Sequence, residues 1–297
     1  MHGLLVLDKP SGMSSNAALQ EVKRAFNAAK AGHTGSLDPL ATGVLPLCLG
    51  EATKISQFLL DSDKRYQVTV RLGVRTDTGD AEGTVIEQHD STAVTQQDVE
   101  RALKLFAGSI EQLPPMYSAL KHEGVPLYRL ARKGIEVERS TRQVLIHRIE
   151  LLEFSPGEVK LDISCSKGTY VRTLADDLGQ RLGCGAHVTA LRRTQAGAFT
   201  LADSVTLEAL HAAKDADDPE DFSGLDRLLL EMDRAVAGFP EVSLPEATAR
   251  FIRQGQPVLV RHLPDEGLVR LYDGTRFIGI GSILDDGRVA PRRMIVD

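Results

Sequence analysis

The sequence has few cysteines, and their spacing argues against two kinds of structure. Cys48, Cys165 and Cys184 lie far apart, and no CxxC pair occurs. A disulfide scaffold needs a larger set of paired cysteines, and a zinc site needs clustered ligands, so neither is expected. Isolated cysteines are mostly small buried hydrophobic residues. We therefore expect reduced thiols in a cytoplasmic protein.

Long apolar segments are also missing. No run reaches the roughly 18 apolar residues of a transmembrane helix, so we expect no membrane partner. The opening residues, MHGLLVLDKPSG, have too short an apolar part and no cationic lead for a signal peptide. The chain has 297 residues, 42% hydrophobic and 26% charged, which is enough for a sizeable globular core.

Several common catalytic motifs are absent from the sequence. It contains no HExxH, no P-loop, no GxSxG and no GxGxxG in a strand–turn–helix setting. The glycine-rich stretch between Gly35 and Gly43 lacks the Lys-Ser/Thr ending that a phosphate-binding loop requires. No second histidine lies at metal-ligand spacing from His33. We therefore expect neither a metal nor a cofactor.

The formal net charge of −6 is distributed unevenly along the chain. Residues 201–245 hold 11 acids and three bases, a balance of −8, which leaves +2 for the remainder. Residues 116–148 hold seven bases against three acids. Such a basic run is either a solvated face or a docking site for a polyanion. The acidic pI of 5.8 therefore does not exclude RNA as a partner.

Residues 31–46, AGHTGSLDPLATGVLP, have neither helical nor strand periodicity and surround one carboxylate, Asp38. Gly32, Gly35 and Gly43 permit a positive φ or a close approach of another molecule. Pro39 restrains Asp38 to an extended conformation. An isolated Asp-Pro is most often a turn or capping residue. The alternative is a catalytic nucleophile or general base.

Three other side chains have both an ordinary and a functional interpretation. Tyr66 is either a half-buried strand aromatic or a ring that stacks on a base. Arg172 is either a surface residue or the cation that keeps a buried carboxylate ionised. His33 is either a structural turn residue or a functional one.

Apolar periodicity predicts alternating strands and helices. The predicted strands are 3–8, 44–49, 66–72, 84–87, 142–154, 159–165, 187–193, 258–260, 268–272 and 277–284. The predicted helices are one that begins after Ser14 or Ser15 and four at 52–60, 95–106, 170–182 and 247–254. The short strands after residue 240 predict a small β-rich module at the C-terminal end.

Six motif blocks resemble, in order, the bacterial tRNA pseudouridine-55 synthase (TruB) family. They are LDKPSGMSSN, GHTGSLDPLATGVLPLCLGEATK, KRYQVTVRLGVRTDTGDAEG, PPMYSALKHEG, CSKGTYVRTLADDLG and CGAHVTALRRT. The resemblance runs from residue 3 to about residue 195, adds little between about 200 and 240, and resumes near the C-terminus. There, GLVRLYDGTRFIGIGSILDDGRVAPRR resembles the family's PUA-like RNA-binding module.

The resemblance implies an α+β pseudouridine synthase fold. This fold has a mixed, largely antiparallel central sheet flanked by helices, and a small β-rich PUA-like C-terminal domain. The implied catalytic domain spans 1–240, with an RNA-clamping insertion at about 115–145. The implied RNA-binding domain spans 241–297.

The resemblance also implies roles for single residues. Asp38 corresponds to the catalytic aspartate, Arg172 to the arginine that pairs with it, and Tyr66 to the ring that packs on the target uracil and assists a late proton transfer. Substrate-binding positions are matched by His33, which fills the space left by the displaced nucleotide, and by Tyr170 and Leu191 in the uracil pocket. Lys9, in the family's KP motif, is expected to support the structure.

The function implied by the resemblance is conversion of uridine 55 in the T-loop of tRNA to pseudouridine, with the target base flipped out of its stack. The tRNA T-arm is the expected partner, with no obligatory protein partner. Two routes stay open, since Asp38 either attacks as a nucleophile or abstracts a ribose proton. Two other functions also stay open: a tRNA-binding folding chaperone with incidental catalysis, and a related rRNA uridine isomerase that works with partner proteins.

Overall fold

A computed structural model describes residues 1–214, 218, 221–261, 263–264 and 266–296. Residues 215–217, 219 and 220 of the acidic segment 201–245 lie outside the described residues. The strands are β1 Gly3–Lys9, β2 Ala31–His33, β3 Thr42–Leu49, β4 Lys64–Leu72, β5 Val74–Thr76, β6 Val85–Gln88, β7 Gly108–Gln112, β8 Lys121–His122, β9 Val125–Pro126, β10 Arg142–Ser155, β11 Glu158–Cys165, β12 Ala186–Ala196, β13 Phe199–Thr200, β14 Glu241–Leu244, β15 Val258–Leu259, β16 Leu268–Asp273, β17 Arg276–Ile283 and β18 Arg288–Met294.

The helices are fewer than the strands in the part of the chain that the structure describes. They are α1 Ser15–Ala25, α2 Ser56–Leu60, α3 Gln96–Leu103, α4 Leu127–Ala131, α5 Val171–Arg181, α6 Leu207–Ala213, α7 Ser223–Asp226 and α8 Glu246–Arg253. Three 3₁₀ segments lie at Gly50–Ile55, Leu201–Asp203 and Met232–Val236. None of the described helices is long and apolar enough to cross a membrane.

The chain divides into two compact units. The terminal unit comprises Met1–Leu37, Val44–Asp61 and Gly197–Asp297. The middle unit comprises Asp38–Gly43 and Ser62–Ala196.

The sheet of the middle unit is mixed and largely antiparallel. Its strands follow the order β12-β4-β11-β10-β7, and each neighbouring pair is antiparallel. The first two residues of β3 lie parallel to Arg192 and Arg193 of β12. Strand β4 buries alternate residues, as the sequence YQVTVRL predicts. Helix α3 packs on β10 and α5 packs on β12, so the predicted α+β class with helices beside the sheet is confirmed.

Helix α5 forms because its apolar residues recur on one side. Val171, Leu174, Ala175 and Leu178 are buried, which is the face that helical spacing predicts. The helix ends before Gly183, which adopts a positive φ of 75°. Arg172 is also buried, and its partners are described below.

The terminal unit contains β1 beside β3, with β2 antiparallel to β3. It also contains the sheet β14-β16-β17-β18-β15, which confirms the predicted β-rich C-terminal region. Ile280 of this sheet packs in one apolar cluster with Ile55 and Val236. Lys9 at the end of β1 is fully buried and donates hydrogen bonds to the carbonyls of Pro10 and Met13, at 2.7 and 2.6 Å.

Two predicted segments differ from the structure. No strand was predicted before residue 44 of the segment 31–46, but 31–33 form β2, and β3 begins at Thr42. Cross-strand hydrogen bonds with β3 stabilise this three-residue strand, which is too short to show an alternating pattern. The single helix predicted at 52–60 is a 3₁₀ segment followed by α2.

Candidate active site

Asp38 and Arg172 form a two-point ion pair in the middle unit. The Arg172 Nε atom lies 2.8 Å from Asp38 Oδ2, and Nη2 donates to Oδ1 at 3.2 Å. The arginine side chain is 6% exposed and the aspartate side chain 39% exposed. The carboxylate is therefore open to solvent, while the guanidinium behind it is enclosed. The surface interpretation of Arg172 is wrong.

Two main-chain carbonyls fix the guanidinium of Arg172. Its Nη1 atom donates to the carbonyl of Thr78, and its Nη2 atom donates to the carbonyl of Tyr117, both at 2.8 Å. A planar guanidinium that donates hydrogen bonds from several of its N–H groups is fixed in a single orientation. Because the same group contacts both carboxylate oxygens, Arg172 sets the orientation of Asp38.

A second carboxylate, Asp80, lies near the same Nε atom of Arg172. Its Oδ2 atom is 3.7 Å from Arg172 Nε, and the residue is 4% exposed. Its Oδ1 atom accepts hydrogen bonds from the Thr78 hydroxyl at 2.7 Å and from the Glu82 main-chain N–H at 3.1 Å. Sequence reasoning did not single out Asp80. The segment RTDTGDAEG has the composition of a polar turn, and a turn aspartate has no local signature of burial.

Tyr66 lies on β4, directly opposite Arg193 of β12, and both side chains are buried. Burial raises the pKa of the Tyr66 hydroxyl, the charge of Arg193 and a hydrogen bond from it lower the pKa, and the charge of Asp38 raises it. The net result is a pKa above the usual value of 10.0. The phenol is therefore neutral at physiological pH and can donate a hydrogen bond.

Tyr170 lies next to the helix that carries Arg172, and Leu191 lies on β12, beside the strand that carries Tyr66. Leu191 is opposite Val68 across β12 and β4, and since directly opposed residues share a face, it lies on the same side of the sheet as Tyr66. Tyr170 directly precedes α5 and stands two residues before Arg172. His33 belongs to the terminal unit, where it pairs with Leu47 across β2 and β3 and is half-buried.

A glycine is required where β3 approaches β12. Gly43 has a φ of 100°, and a Cβ atom there would lie 2.2 Å from the carbonyl oxygen of Arg193. Any larger residue would force the two strands apart. Gly35 also has a positive φ, of 106°, whereas Gly32 does not.

These residues have a defined chemical capacity. An oriented and partly exposed carboxylate is suited to nucleophilic attack or to proton abstraction. A neighbouring cation stabilises its ionised form, and the neutral phenol of Tyr66 can exchange a proton. Within the described part of the chain, no group of three His, Cys, Asp or Glu residues has the geometry to hold a metal ion.

Three family models match consecutive parts of the chain. The model described as "TruB family pseudouridylate synthase (N terminal domain)" matches residues 23–171. The model "tRNA pseudouridylate synthase B C-terminal domain" matches 172–237, and "Pseudouridine synthase II TruB, C-terminal" matches 240–295.

Full-length relatives carry a consistent name. The tRNA pseudouridine synthase B of Pseudomonas aeruginosa strain UCBPP-PA14 is 58% identical over 294 residues, which covers 99% of this chain and 95% of the relative. The tRNA pseudouridine synthase B of Yersinia enterocolitica serotype O:8 is 55% identical over 302 residues, covering 100% and 92%.

Two solved structures have similar folds. A chain from a Cbf5–Nop10–Gar1 complex is 25% identical with a TM-score of 0.75, over 99% of this chain and 84% of that chain. A chain from an H/ACA RNP bound to a substrate RNA containing 2′-deoxyuridine is 23% identical with a TM-score of 0.76, over 99% and 85%. At this identity the second match shows the fold alone.

Proposed function

The chain belongs to the TruB family of pseudouridylate synthases, and we propose that it converts uridine 55 in the T-loop of tRNA to pseudouridine with Asp38 as the catalytic carboxylate. The observation that carries this proposal is the two-point contact between Asp38 and Arg172. The names of relatives that are 55% and 58% identical over nearly the whole chain support tRNA as the substrate.

The groups proposed to carry out the bond-making and bond-breaking steps all lie in the middle unit. Isomerisation breaks the N-glycosidic bond, rotates the uracil and forms a carbon–carbon bond from C5, with no net gain or loss of atoms. Asp38 begins it by attack or by ribose proton abstraction, and Arg172 stabilises the ionised carboxylate. The neutral hydroxyl of Tyr66 then assists the late proton transfer.

Access to the reacting atoms requires the uridine to leave its stack. Unstacking costs on the order of a few kcal/mol, which stacking on a pocket aromatic ring offsets. We assign that ring to Tyr66 and the remaining pocket surface to Tyr170 and Leu191. His33, by family resemblance, fills the space that the nucleotide leaves.

Two further segments are proposed to hold the T-arm and the rest of the tRNA. The insertion at about 115–145 overlaps almost entirely with the basic run 116–148, and RNA loops are bound largely through shape and backbone contacts. The proposed RNA-binding domain is 241–297. A boundary there is supported by the family model that begins at residue 240.

The test is an assay of the purified chain alone on an isolated T-arm stem–loop. We expect pseudouridine at position 55 and none in a matched stem–loop with cytidine at that position. An unmodified T-arm would contradict the proposal, and it is the result expected of an rRNA isomerase that requires partner proteins. A chaperone role alone does not need the paired Asp38 carboxylate, which favours the catalytic function.

A further inference from the structure

Gln112, the last residue of β7, holds the main chain of Tyr170 at two points. Its amide nitrogen donates to the carbonyl of Tyr170 at 3.3 Å, and its amide oxygen accepts from the Tyr170 N–H at 3.0 Å. The glutamine is 1% exposed. Only this orientation of the amide satisfies both contacts, because the opposite one would place donor against donor and acceptor against acceptor.

The contact fixes the start of α5. Tyr170 occupies the capping position of this helix, and its side chain makes no capping hydrogen bond. Its carbonyl also accepts the N–H of Leu174, the first hydrogen bond of the helix, at 3.1 Å. Gln112 therefore holds the peptide from which the helix begins, two residues before Arg172.

The ring of Tyr170 has a second neighbour on the adjacent strand. The guanidinium of Arg142 lies 5.7 Å from the centre of the Tyr170 ring, within the range of a cation–π contact. Arg142 is the residue directly opposite Gln112 across β10 and β7. Directly opposed residues project to the same face of a sheet, so one cross-strand pair holds both the main chain and the ring of Tyr170.

We infer that Gln112 and Arg142 are positioning residues for the isomerisation, with Gln112 setting the first turn of α5 and Arg142 the Tyr170 ring. This inference rests on the proposed function of Asp38, Arg172 and Tyr170. Neither residue contacts the reacting atoms in this assignment. Their effect on the reaction passes through Tyr170 and through Arg172.

The first test replaces the amide and measures rate and binding separately. In Gln112→Met we expect the single-turnover rate on T-arm RNA to fall at least about tenfold, since a small misplacement of reacting groups is costly. We expect the Kd for the same RNA to change less than about threefold, the pattern of an interaction that acts on the chemical step. The matched control is Gln97→Met, the same substitution at an exposed position of α3, outside the segments proposed to bind RNA.

The second test uses the hydrogen-bonding pattern itself. A protonated carboxyl offers one donor and one acceptor, like the amide, whereas an ionised one offers acceptors only. Burial favours the protonated form. In Gln112→Glu we therefore expect the rate, divided by that of the wild type, to rise as the pH falls from about 8 to about 5.5. For Gln112→Met this ratio stays constant.

Amide hydrogen exchange at residues 170–174 separates the inference from the proposed function. Faster exchange there in Gln112→Met supports the contact even if the wild-type chain leaves the T-arm unmodified, a result that would reject the proposed function alone. If Gln112→Met fails to fold, two measurements replace it. They are the single-turnover rate of Arg142→Gln and the pH dependence of the Gln112→Glu rate divided by that of the wild type. The inference is overturned if folded Gln112→Met keeps the wild-type rate, or if the rate of Gln97→Met falls by as much as that of Gln112→Met.

Discussion

The guanidinium of Arg172 contacts both carboxylate oxygens of Asp38, although the two residues are 134 positions apart in the sequence. The Thr78 and Tyr117 carbonyls hold the same guanidinium. Asp38 is therefore oriented by a buried group whose own position is fixed. This arrangement has consequences that can be measured.

Removing the guanidinium is expected to damage catalysis more than RNA binding. In Arg172→Ala the single-turnover rate should fall about 100-fold or more, because Asp38 loses its orienting cation. Arg172→Lys should also be impaired, since an ammonium cannot make the two-point contact. The Kd for T-arm RNA is the second measurement, and Arg181→Ala, at the exposed end of α5, is the control. A wild-type rate in folded Arg172→Ala would refute the pairing role.

Tyr66 is expected to act as a neutral phenol. Since burial raises its pKa above 10.0, the wild-type rate should show no Tyr66 titration between about pH 7 and about pH 9. Tyr66→Phe keeps the ring and should retain RNA affinity but react more slowly. Tyr66→Leu also removes the ring, so its rate should fall further. Rate–pH profiles of both variants check this. A wild-type titration near pH 9 that is absent in Tyr66→Phe would contradict it.

Asp177 on α5 makes stability depend on pH. Burial and the charge of Asp176 raise the pKa of Asp177 to about 6, from 3.8. The folded state therefore binds the Asp177 proton more tightly than the unfolded state does. The stabilisation that this binding contributes is complete below pH 3.8 and is lost as the pH rises through about 6. Asp177→Asn should raise the free energy of unfolding by about 1 kcal/mol at neutral pH, as solvent at this half-buried group screens part of the effect.

Urea unfolding at about pH 4 and about pH 7.5 measures this dependence. The increase in the free energy of unfolding caused by Asp177→Asn should be small at about pH 4 and complete at about pH 7.5. The neighbouring variant Asp176→Asn should change stability in the opposite direction, because Asp176 pairs with Arg75 at 2.6 and 3.1 Å. An equal gain at both pH values would reject the interpretation of Asp177.

Gly43 is expected to tolerate no side chain. In Gly43→Ala the positive φ and the contact with the Arg193 carbonyl should lower the free energy of unfolding by at least about 2 kcal/mol. Gly32→Ala is the control from the same motif, because a Cβ atom there meets nothing within 4 Å and the φ is not positive. Thermal or urea unfolding compares the two, and equal stabilities would disprove the close approach.

The sequence predicts the regular parts of this protein well. The alternation YQVTVRL predicts β4, and the spacing of Val171, Leu174 and Leu178 predicts α5, because both elements bury one face. Strand β2 and the 3₁₀ segment Gly50–Ile55 were not predicted from the sequence. A strand of three residues is too short to show a period, and the formation of a 3₁₀ turn depends on its tertiary neighbours.

The site was predictable only in part, for a related reason. Asp38, Tyr66 and Arg172 stand in distinctive motifs, but their contact joins segments far apart in the chain. Asp80 and Gln112 are ordinary polar residues in a turn and at a strand end, and only the folded chain buries them against Arg172 and Tyr170. Local patterns record the face that a residue occupies and not the partner that it meets.

The most direct test of the account is Asp38→Asn, which keeps the size of the side chain and removes its charge. The measurement is pseudouridine formed at position 55 of a T-arm stem–loop under single-turnover conditions, with RNA affinity and thermal unfolding measured on the same preparation. We predict no product above background, with a Kd within about threefold of the wild type. Product at the wild-type rate from the folded variant would contradict the assignment of Asp38 as the catalytic carboxylate.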